Sequence, residues 1–443
     1  MTVHAGTKAA PISFQIAEAL NGAAPSVAAN QMCRRLIIDI VGLAIAARNT
    51  DYVANVLASC VSDGPATAFG HDRRLNLYDA AMVNGTAAHG EDFDDTFEGG
   101  PVHAGAVIVP SMLALAETRN LDRAATLRGI AVGAELMCRL SLVAPQAIHK
   151  AGFHPTAVIG ALAAAGGASA ALGLDDARFA GAMGIAGSLA SGIIEYLADG
   201  SWTKRLHAGA AAQAGLRAAL MAENGFVGPR TVLEGSHGFF KAFAPSRTAD
   251  FTPLLDGLGS KWIMEQIAFK PYACGTMTQP FVDCAIELAR QGVKAHDIQR
   301  IVCRVGEGTV HRLWEPLALK QAPPNGYAAK FSTPYCVAVG FLDQAAGLEQ
   351  FTDVRATDER TRALATRVFY EVDPNDEYPK NFTGAIQATL VDGRVLTFRK
   401  GHMRGGANEP LSDQEILAKF RTNSAFGGMP AKQADDLLAT FAR

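Results

Sequence analysis

A run of 20 residues without a charged side chain, positions 155–174, constrains the fold of this chain more than any other feature. The run has the length of a membrane-spanning helix, but it consists mostly of Ala and Gly and therefore gains little from transfer into lipid. Small side chains also let neighbouring helices approach closely. We therefore expect a helix buried in a protein core and no membrane span.

Helical periodicity continues on both sides of this run, up to about residue 265. The predicted helices there are 30–48, 77–89, 105–117, 126–144, 156–172, 176–197 and 206–223. After residue 260, strands are predicted at 297–305 and 368–372, with a hairpin of 385–391 and 394–398 around Asp392-Gly393. Helices are predicted at 277–291, 328–342, 358–366, 412–421 and 431–442. The predicted fold class is mainly α, with a large all-helical domain (1–265, completed by 405–443) and a smaller α+β domain (266–404).

Composition excludes several classes of protein. The 443 residues are 49% hydrophobic and 19% charged, with a net charge of −3 and no basic run, which argues against a nucleic-acid partner. The seven cysteines are widely spaced and include no CxxC, so neither a disulfide framework nor a zinc knuckle is expected. No signal peptide is evident, and we expect a cytoplasmic protein.

An acidic segment carries the first candidate chemistry. Glu91, Asp92, Asp94 and Asp95 lie between His89 and His103. Such a segment is often a solvated turn or a helix start, where Asp caps exposed N–H groups. Carboxylates held half-buried beside imidazoles would instead suit proton transfer. A metal ion, Mg²⁺ or Zn²⁺, could be surrounded by His89, Asp92, Asp94, Asp95 and His103. No HxxxH or cysteine cluster supports a metal site, and none is expected.

Further candidates stand at predicted helix starts. His154 precedes Pro155 and is either a cap or a catalytic base. Lys204 precedes an Ala-rich helix, where a cation opposes the helix dipole unless an anion binds there. Lys270 lies at the predicted domain junction, and Tyr335 is either an ordinary packing residue or a hydroxyl donor in a cleft.

Together these stretches resemble the MmgE/PrpD family, which includes 2-methylcitrate dehydratase, cis-aconitate decarboxylase and iminodisuccinate epimerase. The resemblance extends from about residue 42 to residue 420. The segments that carry it are DFDDT (92–96), HAGA (103–106), FHPTA (153–157), TKRLHAG (203–209), FKPYAC (269–274), AKFSTPY (329–335) and the closing NEPLSDQEILAKF (408–420). Departures from the family pattern are Ala104 in place of Pro, Gln279 in place of His, and Glu98-Gly99-Gly100.

The resemblance implies a large helical domain with a smaller α+β lid, a homodimer, and an active site in the cleft between the domains without metal or organic cofactor. It implies catalytic roles for Asp92, His103, His154 and Tyr335, and substrate binding by Thr96, Lys204 and Lys270.

These residues suit the formation or protonation of a carbanion next to a carboxylate, with lysines offsetting the charge of the substrate. The leading hypothesis is a cofactor-independent carbon–oxygen lyase, a hydro-lyase that acts on a small di- or tricarboxylate. An epimerase is the first alternative, because the same bases could return a proton to the opposite face. A decarboxylase and a metabolite-binding protein without turnover are the others.

Overall fold

The computed structural model describes residues 9–442, which divide into two compact units. The first unit comprises residues 9–90, 99–265 and 439–442, and the second comprises 91–98 and 266–438. Residues 405–438, which the sequence analysis assigned to the first domain, therefore lie in the second unit, as does the acidic segment 91–98. The predicted fold class, mainly α, is confirmed.

Helices dominate the first unit. They are α1 (Ile12–Asn21), α2 (Val27–Ala47), α3 (Asp51–Ala58), α4 (Leu77–His89), α5 (Ala104–Arg119), α6 (Arg123–Val143), α7 (Ala147–Lys150), α8 (Pro155–Leu172), α9 (Asp176–Leu189), α10 (Tyr196–Asp199), α11 (Thr203–Glu223), α12 (Phe239–Phe243) and α13 (Thr252–Leu255). A short antiparallel pair of strands, β1 (Asp63–Thr67) and β2 (Arg74–Leu75), was not predicted.

Helix α8 forms the centre of this unit and packs against α5, α6, α9 and α11. By length and composition it could cross a membrane, but 94% of it is buried within the fold. This burial fits the predicted core helix, because Ala and Gly let four neighbours pack closely around it.

Glycines bring α4 and α11 together. A Cβ atom on Gly85 of α4 would lie 2.7 Å from Gly209 Cα of α11, closer than real side-chain contacts allow. This close approach brings the C-terminal end of α4 and the first turns of α11 into the same region.

A buried ion pair ties α6 to the segment that follows α13. Arg139 and Glu135 are both buried and paired one turn apart on α6. The Arg139 guanidinium also donates to the backbone carbonyls of four residues, which are Pro253, Leu254, Asp256 and Lys261. The second Glu135 oxygen accepts from Met264 N at 2.9 Å. The pair is thus fully hydrogen-bonded, which a buried ion pair requires to be stable.

The second unit is α+β. Its strands are β3 (Thr96–Phe97), β4 (Ile267–Ala268), β5 (Ile298–Val305), β6 (Val368–Val372), β7 (Gly384–Leu390) and β8 (Val395–Lys400). Its helices are α14 (Gln279–Arg290), α15 (Glu307–Leu313), α16 (Leu317–Gln321), α17 (Gly326–Ala329), α18 (Thr333–Asp343), α19 (Asp353–Ala356), α20 (Glu359–Ala365), α21 (Asp413–Phe426) and most of α22 (Ala431–Ala442).

The main sheet of this unit has the strand order β6-β5-β7-β8, with β5 and β6 parallel and the other pairs antiparallel. The predicted β7–β8 hairpin is confirmed, and Gly393 takes the left-handed backbone (φ 88°) that its turn requires. The core on this sheet includes Phe281, Ile301 and Trp314.

Two expectations of the sequence analysis differ from the structure. The helix predicted over 176–197 ends at Leu189, and residues 190–195 form a loop before α10. The acidic segment is neither a solvated turn nor a helix start, because Asp92, Asp94 and Asp95 are buried and the segment leads into the β3 strand.

Candidate active site

Four histidines of the first unit lie in contact in the order His103, His89, His154 and His207. Their ring centroids are separated by 5.0 Å, 5.5 Å and 5.3 Å along this order. His154 Nδ1 lies 3.2 Å from His207 Nδ1. His103 is half-buried and the other three are buried. We call these four residues the imidazole cluster.

Each imidazole stands at or near a helix end. His89 is the last residue of α4, His103 precedes α5, His154 precedes α8, and His207 follows the first turn of α11. The Gly85–Gly209 contact holds α4 against α11 and so brings His89 toward His207. His103 N donates to Thr156 Oγ1 at 3.3 Å, which ties the start of α5 to the start of α8.

A short backbone pairing orients His154. His154 N donates to Gly192 O at 2.9 Å, and Ile194 N donates to Gly152 O at 3.0 Å. Gly192 has φ 127°, a conformation that other residues rarely adopt. The loop that ends α9 early therefore fixes the backbone of His154.

Burial and neighbouring charge lower the pKa values of two of these imidazoles. Burial, with added repulsion from His89 and Lys204, lowers the pKa of His207 to about 4. The pKa of His154 lies well below its usual value, again mainly because of burial, with His89, Lys204, His207 and His103 contributing. Both rings are therefore neutral near pH 7. A hydrogen bond between the two Nδ1 atoms requires one neutral ring to carry its proton on Nδ1 and the other to carry its proton on Nε2.

The lowered pKa values predict a loss of stability in acid. An unfolded histidine has a pKa of about 6.5, so between that pH and about pH 4 the native state binds fewer protons than the unfolded chain. Stability is fully present above about pH 6.5 and falls as the pH drops, by up to about 3 kcal/mol for His207. Urea unfolding of the wild type, His207→Gln and the control His296→Gln checks this.

His296 is exposed, so its substitution should leave the pH dependence as it is in the wild type. The His207→Gln variant should lose less stability between about pH 7 and about pH 4.5 than either of the others. Equal slopes for all three proteins would contradict the assignment of this loss to the imidazole cluster.

A second cluster lies within the second unit and joins Asp92 to Lys270. Lys270 is buried, its Nζ donates to Asp92 O at 2.9 Å, and it lies 3.7 Å from Asp92 Oδ1. Tyr327 Oη donates to Asp92 Oδ2 at 3.2 Å. Lys330 is also buried, and its Nζ donates to Glu91 O at 2.7 Å and to Glu91 Oε2 at 2.8 Å. We call these five residues the lysine–carboxylate cluster.

The β3–β4 pairing builds this cluster. Thr96 faces Ala268, so Lys270 follows two residues after the paired strand. Asp92 has φ 55°, a left-handed conformation that Asp adopts more readily than most residues other than Gly and Asn. Its carboxylate and its carbonyl thereby reach the same ammonium group.

The structure brings together some of the predicted residues. His103 and His154 belong to the imidazole cluster, and Lys204 lies on the first turn of α11, three residues before His207. Asp92 and Lys270 are paired. Within the described residues, no hydrogen bond joins Tyr335 to either of them, because the Tyr335 hydroxyl donates to Gln350 O at 2.7 Å.

Five members of the two clusters were not predicted as site residues: His89, Glu91, His207, Tyr327 and Lys330. Two signals in the sequence could have pointed to His207 and Lys330. His207 follows Lys204 by three residues, which places both on one face of a helix. Lys330 is a lysine in an otherwise apolar and small-residue stretch, and such a buried cation needs an anionic partner.

Gln279 stands where the family motif has His, and its hydrogen bonds explain this departure. This buried residue accepts from Tyr272 N at 3.2 Å and donates to Tyr272 O at 3.0 Å and Cys274 O at 2.9 Å. It therefore clamps the loop that follows Lys270, a backbone role that an imidazole with two ring nitrogens fills less completely.

Two family models cover most of the chain. The MmgE/PrpD N-terminal domain matches residues 15–252, and the MmgE/PrpD C-terminal domain matches residues 272–440. The chain belongs to the MmgE/PrpD family. Curated relatives in this family are similar over about four fifths of their length.

The chain is 30% identical to "Cis-aconitate decarboxylase" of Homo sapiens in an alignment of length 417 that covers 89% of this chain and 83% of the relative. It is 27% identical to "Cis-aconitate decarboxylase" of Aspergillus terreus (strain NIH 2624 / FGSC A1156) in an alignment of length 405 that covers 86% of this chain and 81% of the relative. The resemblance inferred from the sequence motifs is thus confirmed. Family membership supports an enzyme that acts on a small carboxylate.

Proposed function

We propose that this MmgE/PrpD protein is a lyase that acts on a small di- or tricarboxylate through proton transfer by the imidazole cluster. The observation that carries the proposal is the contact between His154 and His207, two neutral imidazoles 3.2 Å apart beside Lys204. Neutral imidazoles can accept protons near pH 7. Lysine offsets the charge of a carboxylate, which favours a carbanion next to it.

Substrate binding would convert part of the cluster into proton donors. Carboxylate charges close to an imidazole raise its pKa, because they favour the protonated ring. The cluster would then hold one ring able to accept a proton and another able to donate one. We assign this exchange to His103 and His154, with Lys204 as a substrate-binding residue.

The lysine–carboxylate cluster has a separate assignment in this proposal. Asp92 is assigned as a catalytic residue, and Lys270 and Thr96 are assigned as substrate-binding residues. Tyr335 was predicted to be catalytic, but Tyr327 is the stronger candidate because its hydroxyl contacts the Asp92 carboxylate.

Two reactions fit these groups. Decarboxylation breaks a carbon–carbon bond, releases CO₂ and leaves a carbanion that one imidazolium protonates. It is the first reaction to test because the relatives are cis-aconitate decarboxylases. Dehydration removes a proton from carbon and a hydroxide from its neighbour, which needs both a base and an acid. The acceptor and donor assigned to His154 and His103 make it the second candidate.

The test is an NMR assay of cis-aconitate and a panel of hydroxy-di- and hydroxytricarboxylates, with CO₂ measured in parallel. Release of CO₂ identifies a decarboxylase, loss of the hydroxyl group identifies a hydro-lyase, and deuterium exchange without either identifies an epimerase. Binding of a panel member without any of these changes would contradict an enzymatic role.

Independence of metal is a separate prediction. His89 and His103 are adjacent imidazoles, and imidazole is the commonest metal ligand in proteins, so this pair is the part of the imidazole cluster where a metal requirement is worth testing. We expect turnover to be unchanged after EDTA treatment and dialysis. Loss of activity that added Zn²⁺ or Mg²⁺ restores would refute a cofactor-independent mechanism.

A further inference from the structure

The main sheet of the second unit has one face covered by helices and one face open. Helices α14 and α18 pack on the side that contains Ile301 and Ile386, which are buried. The opposite side carries the alternate residues of β5, β6, β7 and β8, and none of these alternate residues is buried. We call the side that contains Arg300, Arg304 and Arg399 the open sheet face.

The strand register sets the spacing of these three arginines. Arg304 of β5 and Arg399 of β8 lie on either side of Ala385 of β7, so their backbones are two strand spacings, or about 9.5 Å, apart. Arg300 precedes Arg304 by four residues on β5, which is about 13 Å along the strand. All three arginines are exposed, so a molecule that lies on the sheet reaches each guanidinium.

These cations have no acidic partner among residues 9–442. No side-chain hydrogen bond or ion pair of the described residues involves Arg304 or Arg399, and Arg300 lies over the Phe369 ring, 4.5 Å from its centroid. Within the four strands, Glu371 opposite Arg304 is the one acidic side chain on this face. Three arginines against one glutamate leave an excess of positive charge, although the whole chain has a net charge of −3.

The groups on the open sheet face favour a partner that carries carboxylates. Like charges repel, and an anion that lies between Arg304 and Arg399 removes this repulsion. A guanidinium group binds a carboxylate through two parallel N–H···O bonds. Gln387 and Thr397, which face each other on β7 and β8, are exposed and offer amide and hydroxyl groups to a polypeptide backbone.

The same face is poorly suited to nucleic acid. Proteins that bind single strands stack bases on exposed aromatic rings. Phe369 is the aromatic residue that the four strands place on this face, but it is half-buried and Arg300 lies over its ring. A base therefore finds little free ring surface, whereas a carboxylate needs only the guanidinium groups.

We propose that the open sheet face binds an acidic segment of another protein, whose carboxylates pair with the three arginines. The segment lies along β7, where the small side chain of Ala385 leaves room between Arg304 and Arg399. This surface lies outside the imidazole cluster and the lysine–carboxylate cluster, and the proposal does not rest on the lyase function.

Binding is tested on the full chain by fluorescence anisotropy with a fluorescein-labelled Glu-Ser repeat peptide. A Gln-Ser repeat peptide of the same length is the uncharged control, and an oligothymidylate of the same length represents nucleic acid. We expect the Glu-Ser peptide to bind more tightly than either, and its affinity to fall as added salt screens the charges. Absence of Glu-Ser binding at low salt would overturn the proposal, as would tighter binding of the oligothymidylate.

Two double variants with the same total charge locate the site. Arg304→Gln with Arg399→Gln removes two cations of the open sheet face, and Arg34→Gln with Arg360→Gln removes two exposed cations on α2 and α20. We expect the first variant to weaken Glu-Ser binding by about tenfold and the second to leave it nearly unchanged. Circular dichroism checks that both are folded. Equal losses would show attraction to overall charge alone and would overturn the assignment.

Reversal of charge gives a second readout. The variant Arg304→Glu with Arg399→Glu is expected to lose Glu-Ser binding and to bind a Lys-Ser repeat peptide more tightly than the wild type does. Retention of Glu-Ser binding by this variant would place the peptide elsewhere on the protein and overturn the proposal. None of these measurements needs a substrate, so they are decisive whether or not the proposed lyase function holds.

Discussion

Replacement of His103 by alanine is expected to lower kcat by ~10²–10⁴-fold, the range typical for loss of a general acid or base. His103 is the only half-buried member of the imidazole cluster, so it is the ring most accessible to a bound molecule. Its side chain makes no capping hydrogen bond to α5, so the substitution removes the ring without weakening the helix start. Steady-state kinetics on the substrate found by the NMR assay measures the effect.

The matched control for this prediction is His296→Ala. His296 has an exposed side chain in the second unit and lies outside both clusters. We expect this variant to retain wild-type kcat and KM. A loss of less than about tenfold in His103→Ala would refute a proton-transfer role for His103, given the contribution expected of such groups.

Substitution of Arg139 by methionine is expected to destabilise the protein by about 3–5 kcal/mol, the range for breaking a buried ion pair. The change leaves the Glu135 carboxylate buried without its cation and removes the donor to four backbone carbonyls. Urea unfolding measures the loss. A parallel assay shows whether the residual folded protein keeps its kcat, as expected for a residue outside both clusters.

Two further variants serve as comparisons for Arg139→Met. Arg178→Met removes a largely exposed cation 3.9 Å from Asp175, and we expect it to cost no more than about 1 kcal/mol. The double variant Glu135→Leu with Arg139→Met should recover part of the stability, since it no longer buries an unpaired charge. A cost for Arg139→Met as small as that of Arg178→Met would contradict the role given to this ion pair.

Local sequence predicted the regular elements well. Helix α8 followed from its uncharged, small-residue composition, and the β7–β8 hairpin followed from Asp392-Gly393 between alternating residues. Both signals lie within about 20 residues of chain. The early end of α9 was missed because Gly192 acts through a long-range pairing with residues 152–154, which periodicity does not reveal.

The candidate site was predicted only in part, because some of its contacts join residues that are far apart in the chain. His103, His154, Lys204 and Lys270 stand in recognisable motifs, so sequence alone pointed to them. His89 was considered only beside the acidic segment and as a possible metal ligand, and Tyr327 precedes the motif that contains Lys330. Their contacts join residues separated by up to about 240 positions, and only the folded chain brings these residues together.

The pairing of β3 with β4 has a consequence for the design of fragments and chimaeras of this protein. A gene fragment that encodes residues 266–438 alone lacks the strand that pairs with Ile267 and Ala268. It also lacks the carbonyl oxygens of Asp92 and Glu91, so the buried ammonium groups of Lys270 and Lys330 would lose their acceptors. Chimaeras that exchange the C-terminal half between family members should therefore carry residues 91–98 from the same parent.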